Sequence, residues 1–281
     1  MKRLSLIILI LISNIIIAQS DFSPQYSNDG NQILFYSYRI EKEPEIFIIN
    51  KDGSDLKQIT KTDGNWSIEP RWGTSDDFIA YSNGPNMGQL RVTVFNLISN
   101  SVMTSIDELE MGTQFIIAWN KNGIQWANKT NKEFNFYLST TNKNTPLKYE
   151  QFKSYFLKSS KDGLYTAIMV NDENNKGLWI AYGLDKPKKL TDKLGSNISF
   201  SSNNDFIAFE YKDKDVSNIY TINIDGSNLK QITSEEANDL MPTISPDGKN
   251  ITFSSSLSGQ FCLHTINLES NKVTQITGLK K

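Results

Sequence analysis

Short apolar runs with period-two alternation recur along this chain, and each follows a tight-turn signal. The clearest are Ile33-Leu34-Phe35, just after Gly30, and Ile251-Thr252-Phe253, just after Gly248. A second alternating run and a short segment ending in Ile-Thr complete each unit, as at Gln275-Ile276-Thr277. Runs of this length predict strands joined by hairpins. No segment keeps a sustained helical period, so we expect almost no helix.

Six copies of this unit can be counted from the residue that closes the first turn, which we call the anchor. Gly, Asn and Asp suit this position because the hairpin needs left-handed backbone there. One four-stranded sheet cannot bury both of its faces alone, so repeats of this size stack as blades. The pattern predicts an all-β fold, a six-bladed β-propeller of four-stranded antiparallel blades. The anchors, separated by 40 to 47 residues, are Gly30, Asp76, Gly123, Gly163, Asn204 and Gly248.

The repeats also predict the strand positions within a blade and the way in which the ring closes. Blade five is predicted to have strands at 197–201, 206–211, 218–223 and 229–233, whereas blade three matches the repeat least well. The repeats leave no spare strand at either end. We therefore expect blades one and six to close the ring by side-chain packing alone.

Residues 1–19 have the pattern of a secretory signal peptide. Lys2 and Arg3 precede an apolar stretch that ends at Ala18, a small residue suited to cleavage. An uncleaved membrane anchor is the alternative, although a span needs about 20 apolar residues and Ser13-Asn14 interrupts this one. No cysteine follows the stretch, which argues against a lipid anchor. We expect residues 20–281 to form the propeller, in the periplasm or outside the cell, with no membrane segment after cleavage.

Charge and cysteine content narrow the range of partners. Without Lys2 and Arg3 the chain has 27 basic and 31 acidic residues, a net charge of −4. A nucleic-acid partner would require a clustered basic face, so none is expected. Cys262 is the only cysteine, which excludes an intramolecular disulfide, and its apolar neighbours predict a buried side chain.

Candidate catalytic and metal-binding residues are few. His264 is the only histidine, and no Gly-x-Ser-x-Gly motif occurs. A histidine cluster or an α/β-hydrolase nucleophile is thus excluded. The Asp-Gly turns near Asp52 and Asp225 carry closely spaced oxygen ligands, but their place in the blade explains them as turns. We predict no catalytic residue, no metal site and no cofactor.

A rim at the channel mouth is the candidate binding site. Asp21 and Asp239 stand three residues before the proline of an inner strand, and Glu69 directly precedes another, so these acids are candidates to ring the mouth or, alternatively, to cap loops. Trp and Arg are frequent interface anchors. Trp66 and Trp126 fall in or beside predicted loops, whereas the other tryptophans fit core positions. The predicted rim consists of Asp21, Arg39, Trp66, Glu69, Arg71 and Asp239.

The repeat resembles the WD-like β-propeller repeat of the TolB family. The resemblance is carried by Met241-Pro242-Thr243-Ile244-Ser245-Pro246-Asp247-Gly248 and by Ile224-Asp225-Gly226-Ser227-Asn228-Leu229-Lys230-Gln231-Ile232-Thr233. It covers essentially all of the chain after residue 19, although blades two to four are degenerate. Similar repeats occur in periplasmic interaction proteins and in substrate-gating propellers of prolyl-oligopeptidase-like peptidases.

The resemblance implies a binding function. TolB itself has an α/β domain before its propeller, the peptidases have a hydrolase domain, and propeller lyases rely on histidine and metal. We therefore expect an isolated, monomeric propeller that acts as a non-catalytic module for a protein or cell-envelope partner. The alternatives are a carboxylate-based glycan hydrolase or lyase and a substrate-gating propeller.

Overall fold

The computed structural model describes residues 20–40, 42–106, 112–130, 134–140, 143–147, 154–183, 185–234 and 236–278. Within them, 24 strands form six antiparallel sheets, each made of four consecutive strands. The sheets surround a central channel, and the first strand of each is innermost. The predicted six-bladed β-propeller is confirmed, and the described residues contain no helix. The signal-peptide prediction concerns residues 1–19, which lie outside the described residues.

The strands have the following bounds. Blades one and two comprise β1 to β8: Asp21–Tyr26, Gln32–Ser37, Glu45–Asn50, Lys57–Gln58, Trp66–Trp72, Phe78–Gly84, Arg91–Asn96 and Ser101–Ser105. Blades three and four comprise β9 to β16: Thr113–Asn120, Gly123–Lys129, Phe134–Thr140, Lys143–Leu147, Ser154–Ser159, Tyr165–Val170, Gly177–Tyr182 and Lys188–Thr191. Blades five and six comprise β17 to β24: Ser196–Phe200, Phe206–Asp213, Val216–Asn223, Lys230–Gln231, Asp239–Ile244, Asn250–Ser255, Cys262–Asn267 and Val273–Gln275.

The hydrophobic core lies between the blades. Six buried clusters were found among the described residues, and each joins two neighbouring blades. The second strand of a blade contributes to both sides because successive side chains point to opposite faces. Leu34 and Tyr36 pack toward blade two, for example, whereas Ile33 and Phe35 pack toward blade six. This arrangement explains why the second strands are almost continuously apolar.

The anchors serve the first turns as the sequence predicted, with two variations. Gly30, Gly163, Asn204 and Gly248 have φ values of 73°, 68°, 59° and 72°, all left-handed. Gly123 instead begins β10. The Asp76 carboxylate accepts hydrogen bonds from the backbone and side-chain nitrogens of Asn28, at 2.8 and 2.6 Å, and so joins the first turns of blades one and two.

Every inner strand contains a β-bulge, as shown by the register shift against the second strand of its blade. Four bulges contain a residue with positive φ: Ser23, Glu69, Asn197 and Met241. A bulge adds one residue to one strand, bends it and re-aims its side chains. Glu69, Arg71, Asn197 and Met241, which lie in or just after these bulges, line a pocket in the channel.

Within the described residues, no strand is exchanged where the ring closes, as predicted, because β1 to β4 and β21 to β24 form separate sheets. Packing is supplemented by hydrogen bonds, however. The backbone N–H of Asp21 donates to the Phe261 carbonyl at 3.0 Å, and the Thr277 hydroxyl donates to the Asp21 carboxylate. Closure therefore rests on polar contacts as well as on the apolar cluster between blades one and six.

The structure corrects the expected positions of several tryptophans. Trp126 lies in the middle of β10, is fully buried and stacks on Tyr137 with 4.6 Å between ring centroids. Its indole N–H donates to Ser139 Oγ at 2.7 Å. Trp119 and Trp179, expected in the core, are only partly buried.

Among the described residues, no helix has the length and apolar character needed to cross a bilayer.

Candidate functional site

The channel opens to two pockets on opposite faces of the propeller. The upper pocket, of about 470 Å³, lies where the inner strands begin, and the lower pocket, of about 130 Å³, lies beside the first turns. The upper pocket is lined mainly by aromatic and other apolar side chains. Arg71 lines both pockets, so it marks the level at which they meet. The aromatic residues of the upper pocket are Tyr36, Tyr38, Trp66, Phe115, Phe136 and Phe156.

An ion pair lies at the inner end of the upper pocket. Arg71 Nη2 is 3.1 Å from Glu69 Oε2, and both residues contact the Ser23 hydroxyl, at 3.1 and 3.0 Å. Arg71 also donates to the carbonyls of Pro70 and Ile117, at 2.8 and 3.0 Å. The guanidinium is thus held by contacts to blades one, two and three. It is only 11% exposed, which makes this pair largely desolvated.

Trp66, the first residue of β5, forms part of the aromatic wall. Its ring meets Tyr38 edge to face with centroids 6.3 Å apart, and Tyr38 meets Tyr36 in the same way at 6.2 Å. Burial raises the pKa of Tyr36 well above 10.0, so this phenol stays neutral at physiological pH. An apolar surface with a few polar groups is typical of a site that binds a hydrophobic side chain.

The lower pocket contains an amine that the sequence analysis did not identify. Lys158, in β13, donates to the Ile117 carbonyl at 2.6 Å, the same oxygen that receives Arg71 Nε. Burial, followed by the nearby positive charge of Arg71, holds the pKa of Lys158 well below 10.5, while Glu69 opposes this shift. Two basic groups from blades two and four therefore converge inside the channel.

Glu210 lies behind the upper pocket, in β18. Its Oε2 accepts hydrogen bonds from the Asn197 side chain at 2.8 Å and from the Met241 backbone at 3.3 Å, and both of these residues line the pocket. Burial raises the pKa of Glu210 above 4.5, although these hydrogen bonds partly offset the effect.

The structure brings together only half of the predicted rim. Trp66, Glu69 and Arg71 line the upper pocket, whereas Asp21, Arg39 and Asp239 do not. Asp21 is fully buried and pairs with Arg39 at 2.6 Å. Arg39 also lies over the rings of Phe35 and Phe47, 5.1 Å from each centroid. Asp239 is buried beside a separate cavity of about 300 Å³ at the junction of blades five and six.

The remaining candidates lie away from both pockets. His264 is buried in β23, with Nδ1 3.2 Å from the Cys262 carbonyl oxygen, and burial lowers its pKa below 6.5. Cys262 is also buried, as expected. Asp52 and Asp225 accept hydrogen bonds from the backbone two residues ahead, at 2.9 and 2.8 Å, which is the Asx-turn geometry. No group of three or more metal-binding side chains was found in the described part of the chain.

Comparison with known proteins gave one family match. Residues 158–280 match the model of the TolB beta propeller domain family. The match begins near the end of β13 and covers the rest of blade four and blades five and six. No curated protein matches the chain significantly.

Solved structures resemble the chain at low sequence identity. TolB from Acinetobacter baumannii aligns with a TM-score of 0.68 at 14% identity, over 92% of this chain and 63% of that one. The β-propeller domain of the Trilobed protease from Pyrococcus furiosus aligns with 0.62 at 15%, over 93% and 85%. Oligogalacturonate lyase from Vibrio parahaemolyticus aligns with 0.60 at 11%, over 92% and 78%. At these identities the structural matches show the fold alone.

Proposed function

We propose that this chain, which is a TolB-like β-propeller protein, acts as a non-catalytic binding module in the periplasm. Its partner is a protein or another component of the cell envelope, and the upper pocket is the contact site. The observation that carries the proposal is the aromatic lining of this pocket around the Glu69–Arg71 pair.

The chemistry of the pocket suits an apolar side chain of a partner. Aromatic and Arg residues dominate binding energy in protein interfaces when they lie in desolvated pockets. Trp66, Tyr38 and Phe115 supply apolar area at the mouth. The Glu69–Arg71 pair beneath them offers one donor and one acceptor group to a polar atom of the same partner segment. Such an arrangement recognises a mixed apolar and polar segment better than a small ion.

The acids near the pocket have structural partners, which favours binding over catalysis. Glu69 is engaged by Arg71 and Ser23, and Glu210 by Asn197 and Met241. A carboxylate-based hydrolase needs two acids that both face the substrate, one as general acid and the other as nucleophile or base. Glu210 has the raised pKa of a general acid, but it contacts the pocket only through two neighbours.

Trp66→Ala should abolish capture of a specific partner from envelope extract. Loss of a hot-spot tryptophan costs at least about 2 kcal/mol, or about a thirtyfold loss in affinity. The mature protein would be immobilised and the captured proteins quantified by mass spectrometry. Trp119→Ala is the matched control because it removes a partly buried tryptophan from the lower pocket.

Two results would contradict this proposal. Equal capture by the parent and Trp66→Ala would show that the upper pocket is not the contact site. Turnover of a glycan or peptide library by the parent, lost in Glu210→Gln, would replace the binding module with an enzyme.

Export is the remaining part of the proposal. We expect the mature protein to begin just after Ala18 and to be found in the periplasmic fraction of a Gram-negative host. Mass spectrometry of the intact protein from that fraction would give the N-terminus. Full-length protein retained in the inner membrane would indicate an uncleaved anchor instead.

A further inference from the structure

Six residues from six inner strands line the channel at one level. Each stands five residues before the anchor of its blade, and all six line the lower pocket. Two are basic, Ala118 is small, and the others are neutral and polar. We call them the channel ring: Gln25, Arg71, Ala118, Lys158, Ser199 and Thr243.

The two basic members of the channel ring meet across the blade that carries the alanine. Arg71 Nε and Lys158 Nζ both donate to the Ile117 carbonyl, at 3.0 and 2.6 Å. Ala118, from the blade between theirs, lines the same pocket. Two positive groups that approach each other inside a protein repel, and a bound negative charge would relieve this repulsion.

The charges of Arg71, Glu69 and Lys158 sum to one positive charge when Lys158 is protonated. Glu69 compensates Arg71 directly, at 3.1 Å. An ammonium group has three N–H donors, and the hydrogen bonds seen among the described residues give Lys158 one acceptor, the Ile117 carbonyl. The unmatched charge and the remaining donor capacity both belong to Lys158.

The opposite side of the channel ring offers neutral hydroxyl groups. Ser199 Oγ accepts a hydrogen bond from the Ile244 backbone at 3.1 Å, so its own O–H can donate to a ligand. Thr243 lies beside it in the next blade. The lower pocket, of about 130 Å³, admits a small group from the face that carries the first turns.

We propose that the channel ring binds a small carboxylate, held by Lys158 and attracted by Arg71, with the hydroxyl groups of Ser199 and Thr243 opposite. A monoanion matches the single uncompensated charge. The carboxylate belongs either to a free small acid or to the C-terminus of a peptide that enters the lower pocket. This site shares Arg71 with the upper pocket, but Lys158, Ser199 and Thr243 line only the lower pocket, so either proposal can fail without the other.

Binding at this site should depend on pH. The groups that face Lys158 are Arg71 and Glu69 from β5, Tyr26 from β1 and Lys161 from the turn after β13, while β9, β17 and β21 contribute neutral residues. Burial and Arg71 lower the pKa of Lys158, and a bound carboxylate raises it again. In the pH range where Lys158 is neutral in the free protein, the ligand therefore binds together with a proton. Affinity should rise as the pH falls and level off once Lys158 is protonated in the free protein.

Isothermal titration calorimetry with the mature protein tests the proposal. The probes are acetate, propionate and trialanine with a free C-terminus, each titrated at two pH values and in buffers of different ionisation enthalpy. Lys158→Met should weaken binding by about tenfold or more, since it removes a charge-assisted hydrogen bond. Lys161→Met, the same change at the pocket mouth, should alter it by less than about twofold.

The probes also distinguish the two sources of the carboxylate. Binding of acetate or propionate without trialanine indicates a free small acid, and binding of trialanine but not of its C-terminal amide indicates a peptide terminus. The proposal is overturned if no probe binds or if Lys158→Met binds like the parent. Trp66→Ala should bind these probes like the parent, which keeps this test independent of the proposed upper-pocket function.

Discussion

Asp21→Asn should destabilise the propeller by about 3–5 kcal/mol, the cost of removing one partner of a buried ion pair. Asp21 is fully buried, and its carboxylate receives Arg39 at 2.6 Å and the Ser37 hydroxyl at 2.6 Å. It also receives the hydroxyl of Thr277, which lies just after the last strand of the chain. The substitution leaves the Arg39 charge without its carboxylate at the place where the ring closes.

Urea unfolding monitored by tryptophan fluorescence would measure this loss. Asp239→Asn is the matched control because Asp239 occupies the same position in blade six and is buried, yet no basic side chain pairs with it among the described residues. Burial raises the pKa of Asp239 above 3.8. Between pH 3.8 and its pKa in the folded protein, Asp239 is thus protonated in the folded protein and ionised in the unfolded chain. The stability that the protonated carboxyl contributes at low pH is lost as the pH rises through the folded pKa.

Asp239→Asn removes the cost of burying an ionised carboxylate. At neutral pH the stability of this variant should therefore equal or exceed that of the parent. A loss for Asp21→Asn no larger than the change for Asp239→Asn would contradict the role assigned to the ion pair.

The apolar pattern was sufficient to predict the fold because every blade buries its second strand in the same way, between two neighbouring blades. A second strand covered on both faces must be apolar at consecutive positions, as at Phe206-Ile207-Ala208-Phe209. The structure places Ile207 and Phe209 in the cluster with blade four and Ala208 in the cluster with blade six. The four predicted strands of blade five overlap β17 to β20 for the same reason.

The positions of the candidate acids could not be predicted because of the inner-strand bulge. Simple alternation places Asp21, Ser23 and Gln25 on one face of β1. The register shift between Phe22 and Gln25 inserts one residue, however, and a shift of one residue turns the preceding side chains to the other face. Gln25 therefore faces the channel, whereas Asp21 points into the junction with blade six.

Trp126 was misassigned for a different reason. Blade three matches the repeat least well, so the limits of its second strand were not visible in the pattern. The structure shows that β10 begins at Gly123, which places Trp126 in the middle of the strand and between blades two and three.

Lys158 was missed although the chain contains a signal for it. The channel ring always stands five residues before the anchor, so the spacing alone identifies Arg71 and Lys158 as equivalent positions. Taken alone, without the spacing to the anchor, a lysine in a degenerate blade predicts a solvent-exposed side chain, because lysine is most often exposed. The shared contact with the Ile117 carbonyl becomes visible only in three dimensions.

Lys158→Met should stabilise the ligand-free protein at neutral pH, by an amount within the range of about 1–4 kcal/mol found when buried charged groups are replaced by apolar ones. Methionine has a similar length and fills the same space without an amine to desolvate. Because burial and Arg71 lower the pKa of Lys158 below 10.5, the unfolded chain binds a proton that the folded protein lacks between the folded pKa and 10.5.

The stability of the parent should therefore rise with pH across this window, whereas Lys158→Met should lack this contribution. The two proteins should converge as the pH approaches 10.5. Urea unfolding from about pH 7 to about pH 9 would measure the slopes, and this range avoids the tyrosines. Burial raises the pKa of Tyr81 to about 12, so ionisation of the unfolded chain lowers stability above pH 10.0.

Lys161→Met provides the control for the loss of a lysine, since Lys161 is exposed on the turn after β13. It should leave both the stability at neutral pH and the slope close to those of the parent. Parallel pH profiles for the parent and Lys158→Met would contradict this prediction. They would show that the amine of Lys158 is solvated and that its pKa is not lowered by burial. A difference that shrinks on addition of saturating acetate would connect this stability effect to the channel ring, because a bound carboxylate supplies the charge that the folded protein lacks.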